Sequence, residues 1–178
     1  MTKMILIKPT IEWEKEILDY KTEFLSQSGV NWIDGSSGLS DFVNILDWLE
    51  HLVLYESNET IPNPDFVTGE QYLFIRETDR KIVGMIHFRH ELNEYLFHFG
   101  GHIGYSVVPS ERNKGYGSRM LKEMLTEKKE SPIKKFLITC NDDNVGSAKV
   151  IEQNGGILEN KVLDESDGQL VRRYWIDN

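Results

Sequence analysis

One strand that ends at a proline and leads through two glycines into a helix constrains this chain most strongly. The apolar run from Ile103 to Val108 is typical of a β-strand, and Pro109 ends it. Polar residues follow, then Gly115 and Gly117, and then a segment whose apolar residues recur with helical spacing. The sequence therefore predicts a strand–turn–helix unit with bare backbone N–H groups at the start of the helix.

Such a helix start is suited to binding an anion. Its first amides have no partners within the helix, and the helix dipole places its positive end there. The two glycines lack a Cβ atom, so a phosphate can approach the main chain, and Arg112 and Lys114 add positive charge. The spacing matches neither G-x-x-x-x-G-K-[ST] nor G-x-G-x-x-G. We therefore predict that a phosphorylated ligand binds at this turn.

Length and composition indicate one globular domain over residues 1–178. Hydrophobic residues make up 39% of the chain and charged residues 28%, which is typical of soluble proteins. No apolar run approaches the roughly 20 residues needed to cross a membrane, and residues 1–8 are too soon interrupted for a signal peptide. The single cysteine, Cys140, has no internal disulfide partner, so we predict a reducing, cytoplasmic location.

The net charge of −9 argues against broad nucleic-acid binding, which depends on Lys and Arg neutralising phosphates. Four basic residues nevertheless surround the predicted phosphate site: Arg112, Lys114, Arg119 and Lys122. An acidic surface elsewhere favours a cationic substrate such as an amine, although excess carboxylate also simply maintains solubility. We predict neither a nucleic-acid nor a membrane partner.

Hydrophobic periodicity predicts the element order β-α-α-β-β-β-α-β-α-β-β. A helix with an apolar stripe from Trp13 to Phe24 follows the first strand, and Ser40 or Asp41 is expected to cap the second helix. Two strands joined by a short turn at residues 79–81 predict an antiparallel hairpin. The pattern indicates the mixed α+β class, with a mostly antiparallel sheet of about seven strands flanked by four helices.

Four local features within this order resemble the Gcn5-related N-acetyltransferase (GNAT) superfamily. Arg112-x-x-Gly115-x-Gly117 is similar to the family's pyrophosphate motif. The strand before it, residues 105–108, corresponds to the strand that pairs with the pantetheine arm of the cofactor. Asn144 to Ser147 is similar to the family's Asn-x-x-Ser/Ala, and Gly155-Gly156 ends the helix that follows. The resemblance covers most of residues 70–178, and residues 89–105 resemble a subgroup of predicted bacterial acetyltransferases.

This resemblance implies a GNAT-like acyl-CoA N-acyltransferase fold, acetyl-CoA as co-substrate and no metal. It implies an N-acetyltransferase in which a primary amine, on a small molecule or a peptide, attacks the acetyl group directly in a ternary complex. The C-terminal strands are consistent with a homodimer. The residues expected to bind the cofactor are Ser106, Val107, Val108, Arg112, Asn113, Lys114, Gly115, Tyr116, Gly117, Ser118, Asn144 and Ser147.

Catalysis requires a base for the amine and a hydrogen-bond donor for the thioester carbonyl. His102 is the first candidate base, because it lies at the start of the cofactor strand and an ordinary imidazole titrates at about 6.5. Alternatively, His102 faces solvent or hydrogen-bonds to a loop. Glu91 and Glu94 are the second candidates, and a backbone N–H within residues 106–108 is the expected donor.

The chain departs from the family at the position seven residues after Asn144. Many members carry there a tyrosine that protonates the departing thiolate, whereas this chain has Ile151. Tyr105, Tyr116 and Tyr174 are possible replacements, or the thiolate leaves without specific protonation. The departure supports an alternative function, a non-catalytic CoA or acyl-CoA sensor. A third alternative is a protein-interaction domain without cofactor.

Two further patterns bear on ligands. Four histidines, at positions 87, 90, 98 and 102, suggest a metal, but no acidic or cysteine ligand stands at a typical interval, so no metal site is predicted. In the family, the first two helices and their linker form a wall of the acceptor site. Residues 29–40, together with Asp34 and Asp41, are therefore expected to recognise the amine.

Overall fold

A computed structural model describes residues 2–178, so Met1, the first residue of the predicted domain, lies outside the described residues. The strands are β1 (Met4–Ile7), β2 (Gly69–Arg76), β3 (Lys81–Arg89), β4 (Ile103–Val107), β5 (Lys135–Asn141), β6 (Ile157–Asp164) and β7 (Gln169–Asp177). The α-helices are α1 (Glu14–Leu25), α2 (Ile45–Leu54), α3 (Tyr116–Glu127) and α4 (Val145–Gln153). The predicted α+β class and element order are confirmed. Within residues 2–178, no helix combines the length and apolar character needed to cross a membrane.

The seven strands form two antiparallel sheets, in the orders β1-β2-β3-β4 and β5-β7-β6. The sheets meet where Gly101 forms a bridge with Ile138 and the His102 N–H donates to Leu137 O at 2.7 Å. Beyond this contact, no bridge joins β4 to β5 in the described chain, and the two strands separate while each stays paired within its own sheet. The expected single sheet is therefore split, and the split leaves a cleft between β4 and β5.

Two hydrophobic cores lie on opposite faces of the first sheet. Helices α3 and α4 pack with both sheets around one core, which contains Phe74, Phe136 and Ile151. Helices α1 and α2 cover the other face, where Trp48 and Met85 are fully buried. Strand alternation explains the division, because neighbouring side chains of a strand point to opposite faces.

The second helix begins later than predicted. Residues 39–41 form their own 3-10 turn, and the cap of α2 is Asn44, whose Oδ1 accepts the Leu46 N–H at 2.8 Å. The expected Ser40 or Asp41 cap is therefore wrong. The predicted apolar stripe is also only partly buried, since the side chain of Val53 is 67% exposed.

Between β3 and β4 the chain forms a π-helical turn at Leu96–Gly100. The second sheet holds this turn in place. Thr139 Oγ1 donates to Phe99 O at 2.7 Å, and the Arg173 guanidinium donates twice to Phe97 O. The π-turn therefore stands at the narrow end of the cleft.

Candidate active site

The turn that enters α3 leaves a run of backbone amides unpaired. Asn113 and Gly115 have left-handed backbone conformations, with φ of 61° and 80°, and residues 112–115 are exposed. In residues 2–178, no N–H from residues 113–118 forms a hydrogen bond, and the first helical bond runs from the Arg119 N–H to Gly115 O at 3.1 Å. This geometry is what an anion site at a helix start requires. Phosphate binding at the turn itself stays a prediction.

A buried carboxylate anchors the front of this turn. Glu111 is 5% exposed and accepts hydrogen bonds from Arg76 at 2.9 and 3.1 Å. The Lys114 ammonium also contacts Glu111, at 3.1 Å, and donates to Ser110 O at 2.9 Å. The Arg76 hydrogen bonds are the main reason that the pKa of Glu111 is lowered to about 2. Lys114 is thus paired within the protein, so its charge is not free to assist phosphate binding in the way that the sequence predicted.

Arg112 is the basic side chain best placed to assist the turn. Its Nε donates to Val107 O at 3.2 Å, and its guanidinium lies 5.5 Å from the centre of the Phe24 ring. Neither terminal nitrogen of Arg112 has a hydrogen-bond partner within residues 2–178. Arg119, in contrast, donates to Thr2 O at 3.0 Å, towards the N-terminal strand.

The two glycines of the turn serve different purposes. A Cβ added to Gly115 would meet no atom within 4 Å, so this position is open to a ligand. A Cβ added to Gly117 would lie 3.1 Å from Val150 Cγ2 and 3.5 Å from Val107 Cγ2. The missing side chain of Gly117 therefore allows α3 to pack against α4 and β4. The expectation that Gly117 also admits a phosphate stays a prediction. At the next residue, Ser118 accepts hydrogen bonds from the Asn154 amide through both its oxygens.

The open edge of β4 presents backbone donors to the cleft. The Val108 N–H donates to Val83 O at 3.0 Å, and β3 pairs with β4 in register from there. Since N–H groups alternate in direction along an antiparallel strand, those of Tyr105 and Val107 point away from β3. Among the predicted donors at 106–108, Val107 is therefore the one that faces the cleft. Ser106 instead faces α1, where the Tyr20 hydroxyl contacts its Oγ at 3.0 Å and its carbonyl oxygen at 3.1 Å.

Tyr105 connects the open strand to the first turn of α4. Its hydroxyl lies 2.8 Å from Ser147 Oγ, and the Ser147 N–H donates to Asn144 Oδ1 at 3.0 Å. Asn144 thus caps the helix with its oxygen, and its amide NH2 is left for another partner. Burial raises the pKa of Tyr105, which keeps the phenol protonated at neutral pH.

The other replacements named for the missing tyrosine lie elsewhere. Ile151 itself is fully buried in the core. The Tyr116 hydroxyl accepts a hydrogen bond from Arg76, and the Tyr174 hydroxyl donates to Glu152 at 2.8 Å. Of the three tyrosines, Tyr105 lines the cavity in the cleft.

A cavity of about 790 Å³ extends from this edge towards the loop between α1 and α2. Gly104, Tyr105, Cys140, Asn144 and Ser147 line its end beside α4. Aromatic side chains line much of the other end, namely Trp32, Tyr55, Phe66, Tyr95 and Phe99. The loop closes directly over β4, because a Cβ added to Gly35, whose φ is 65°, would lie 2.4 Å from Gly104 O. Asp34 and Asp41, predicted for amine recognition, both line the cavity.

His102 does not occupy the position expected of a base. It is 6% exposed, its Nδ1 accepts the Leu137 N–H at 2.9 Å, and its ring packs edge-on against Phe136. Desolvation lowers the pKa of His102 to about 4. The side chain is absent from the cavity lining, and its contacts give it a structural role between β4 and β5. Glu91 and Glu94 are exposed and also lie outside this lining.

Two cavity side chains were not assigned to the site from sequence. His87 Nδ1 lies 2.6 Å from Ser37 Oγ, and desolvation lowers the pKa of His87 to about 3. Arg89 donates from Nη1 to Gly101 O at 3.0 Å and to Gly100 O at 3.4 Å. In the sequence, His87 stood out only as one of four histidines, and Arg89 only as the first residue of the segment 89–105. In the described chain, no three His, Cys, Asp or Glu side chains are arranged to hold a metal ion.

The structure thus combines a split sheet with a cleft that is bordered by an open helix start. Residues 41–156 match a family model described as the acetyltransferase (GNAT) family. The chain belongs to this family. Its comparison with curated proteins finds no match.

Solved structures share the fold over nearly the whole chain. An acetyltransferase from Salmonella typhimurium that modifies the N-terminal serine of ribosomal protein L7/L12 is 17% identical, with a TM-score of 0.69, covering 100% of this chain and 96% of that one. The ribosomal-protein-S5-alanine acetyltransferase from Vibrio fischeri is 17% identical, with a TM-score of 0.68 and coverage of 98% and 92%. The microcin C7 self-immunity acetyltransferase MccE, in complex with acetyl-CoA and AMP, is 20% identical, with a TM-score of 0.66 and coverage of 99% and 93%.

Proposed function

We propose that this protein transfers the acetyl group of acetyl-CoA to a primary amine, by direct attack while both substrates are bound. The main support is one cavity that joins the open edge of β4 and the start of α4 to a recess containing Asp34. The exposed amides at residues 113–118 lie at the other end of β4. Family membership supports acetyl transfer in general.

The residues present fit acetyl-CoA, which supplies an acetyl thioester. The unpaired amides at residues 113–118 and the Arg112 guanidinium would hold the diphosphate. The outward N–H groups of Tyr105 and Val107 would pair with the pantetheine arm as an added strand does. The free amide of Asn144 would contact the same arm from the α4 side.

Two groups of the chain would act on the reacting atoms. The Val107 N–H would donate to the carbonyl oxygen as negative charge develops there. The Tyr105 hydroxyl, oriented by Ser147, would give its proton to the departing thiolate. This assignment favours an enzyme over the sensor alternative, because a proton donor lines the cleft although position 151 holds isoleucine.

Proton removal from the amine is assigned to Asp34. Desolvation raises the pKa of the Asp34 carboxyl, although the positive charge of Arg89 acts to lower it. A carboxylate with a raised pKa is a stronger base than an ordinary one, and Asp34 lines the cavity. Glu91 and Glu94 lack such a position.

The acceptor is proposed to be a small molecule or a peptide amine. The protein's structural neighbours include acetyltransferases that modify a ribosomal-protein serine or alanine and a microcin self-immunity acetyltransferase. Homodimer contacts through the C-terminal strands and a cytoplasmic location stay predictions. The edge strand β6 is largely exposed, with Ile157 at 71%.

Calorimetric titration with acetyl-CoA, followed by thiol release with a panel of small amines and short peptides, tests the proposal. We expect saturable binding and thiol release that depends on the amine. Binding without release for any amine would instead identify a sensor. Absence of binding would favour a protein-interaction domain and overturn the proposal.

A further inference from the structure

Arg89 differs from the other arginines of the cavity region and the two sheets, because it has no acidic partner. Arg76 pairs with Asp79 and Glu111, Arg172 with Asp142, and Arg173 with Glu159. Within residues 2–178, Arg89 forms no ion pair, and its hydrogen bonds use one nitrogen, Nη1, on two carbonyl oxygens. Its other terminal nitrogen therefore has no protein acceptor.

The position of this cation makes the missing partner informative. The Arg89 side chain is partly buried, and desolvation lowers its pKa to about 10, so the side chain stays charged at neutral pH. Asp34 attracts this cation only through space, without a direct ion pair. A partly buried cation with no directly bonded carboxylate is costly, and an oxyanion that forms two parallel hydrogen bonds relieves that cost. Arg89 lines the cavity, which gives a ligand access to it.

Arg89 also lies beside the strand where the acetyl group is expected. A Cβ added to Gly104 would stand 3.7 Å from Arg89 Nη2, and Gly104 directly precedes Tyr105 on β4. Asp34 borders the same space and contributes an opposite charge, yet forms no ion pair with Arg89. An acceptor with both an amine and an oxyanion can therefore place the first near Asp34 and the second on Arg89.

The rim of the cavity indicates the rest of the acceptor. Trp32, Phe66 and Tyr95 line the cavity with 52%, 58% and 59% of their surface exposed. Large aromatic side chains left exposed in a concave site are suited to contact a flat apolar group.

We propose that the acceptor amine carries a carboxylate or phosphate, bound by Arg89, and a flat apolar group, contacted by the aromatic rim. This inference rests on the proposed acetyltransferase function and specifies its substrate class.

Matched amines test the oxyanion requirement. Phenylalanine, phenylalaninamide and phenethylamine share a ring and an amine, and only the first has a carboxylate. Phosphoethanolamine and ethanolamine test phosphate in the same way. We expect kcat/KM, measured by thiol release, to be about tenfold or more higher for the oxyanion member of at least one set, since hydrogen bonds to charged groups give factors of this size. The set that shows the preference identifies the oxyanion.

Variants assign that preference to Arg89. Arg89→Gln should reduce the ratio between oxyanion and neutral amines to about one to threefold, and Arg89→Lys should retain part of it. Arg80→Gln is the matched control, because Arg80 is an exposed arginine that pairs with Glu16 and lies outside the cavity lining. Comparing ratios within each variant removes the effects of amine basicity and of any general loss of active protein.

The outcomes separate this inference from the function on which it rests. Equal acetylation of oxyanion and neutral amines, or an unchanged ratio in Arg89→Gln, overturns the inference and leaves the acetyltransferase intact. Calorimetry with phenylalanine and phosphoethanolamine covers the opposite case. Binding that needs Arg89, without acetylation of any amine, supports the anion site and overturns the proposed function.

Discussion

Tyr105 is the residue on which turnover is expected to depend most. The family's usual proton donor is replaced by Ile151, which is sealed in the core. Tyr105 reaches the first turn of α4 from β4, one turn before Ile151, and its hydroxyl lies 2.8 Å from Ser147 Oγ. In the proposed mechanism the proton donor therefore lies on the strand that borders the cleft, and the helix does not supply it.

Tyr105→Phe should lower kcat by about 100-fold, because general acid catalysis contributes factors of this order. Acetyl-CoA affinity should stay the same, since the variant keeps the ring and the backbone N–H groups. Thiol release and calorimetry measure the two quantities. Tyr72→Phe, which also removes a hydrogen-bonded hydroxyl but lies outside the cavity lining, is the control. A kcat within twofold of the wild type would refute the acid role.

Arg112 should account for most of the side-chain charge that acetyl-CoA meets, because Lys114 is paired with Glu111. Arg112→Gln is expected to raise the Kd for acetyl-CoA about fivefold at low salt and less at high salt, because exposed charges are screened. Arg119→Gln removes the same charge from a side chain directed at Thr2 and should have little effect. Equal losses in both variants would indicate a general electrostatic attraction instead of a contact.

At the scale of elements, the turn before α3 is the part whose shape is most specific. Gly115 needs a left-handed backbone, and alanine there costs about 1–2 kcal/mol or shifts the turn. Gly115→Ala should therefore weaken acetyl-CoA binding about tenfold. Gly155→Ala is a closely matched control, because Gly155 also has positive φ, 87°, and open space around it. Both variants should lose similar free energy of unfolding, measured with urea, and only Gly115→Ala should lose affinity. Matching affinities would contradict the proposed diphosphate site.

Elements were predictable from sequence where a local signal determines them. The apolar period and the proline at position 109 located β4, and the glycine spacing located the start of α3. The start of α2 was misplaced, because the sequence offers three capping residues between 40 and 44 and only tertiary contacts select Asn44. The packing role of Gly117 could not be predicted, since its neighbour Val150 lies 33 positions away in the chain.

The cavity was predictable only in part. Its side beside α4 includes Tyr105, on the strand before the glycine motif, and Asn144 and Ser147, which carry a sequence signature. Its acceptor side is assembled from Trp32, Phe66, Arg89 and Tyr95, which belong to separate loops and strand ends without a common pattern. Which of these side chains share one space depends on where β4 and β5 separate, and that is a property of the whole fold.

At the scale of the whole molecule, His102 joins the two sheets. Its backbone N–H and its Nδ1 both bond to Leu137 of β5, and its carbonyl accepts the Arg89 N–H from β3. The neutral imidazole is required there, because Nδ1 must accept a hydrogen bond inside the core. The contact of His102 that joins the two sheets is therefore sensitive to pH.

The pKa of His102, lowered to about 4 by burial, makes the folded state bind fewer protons than the unfolded chain between pH 4 and 6.5. Its contribution to stability is thus complete above about pH 6.5 and is lost as the pH falls towards 4. Linkage gives a loss of about 2 kcal/mol in the free energy of unfolding between about pH 7 and pH 4.5. His87, with its pKa also lowered, adds to the same trend.

Urea denaturation at these two pH values measures the effect. His102→Gln, whose amide oxygen can still accept the Leu137 N–H, should lose about 2 kcal/mol less than the wild type over this range, whatever its stability at pH 7. His98→Gln, in the partly exposed π-turn, should follow the wild-type curve. If His102→Gln shows the full wild-type loss, then His102 is not the group whose protonation destabilises the protein over this pH range.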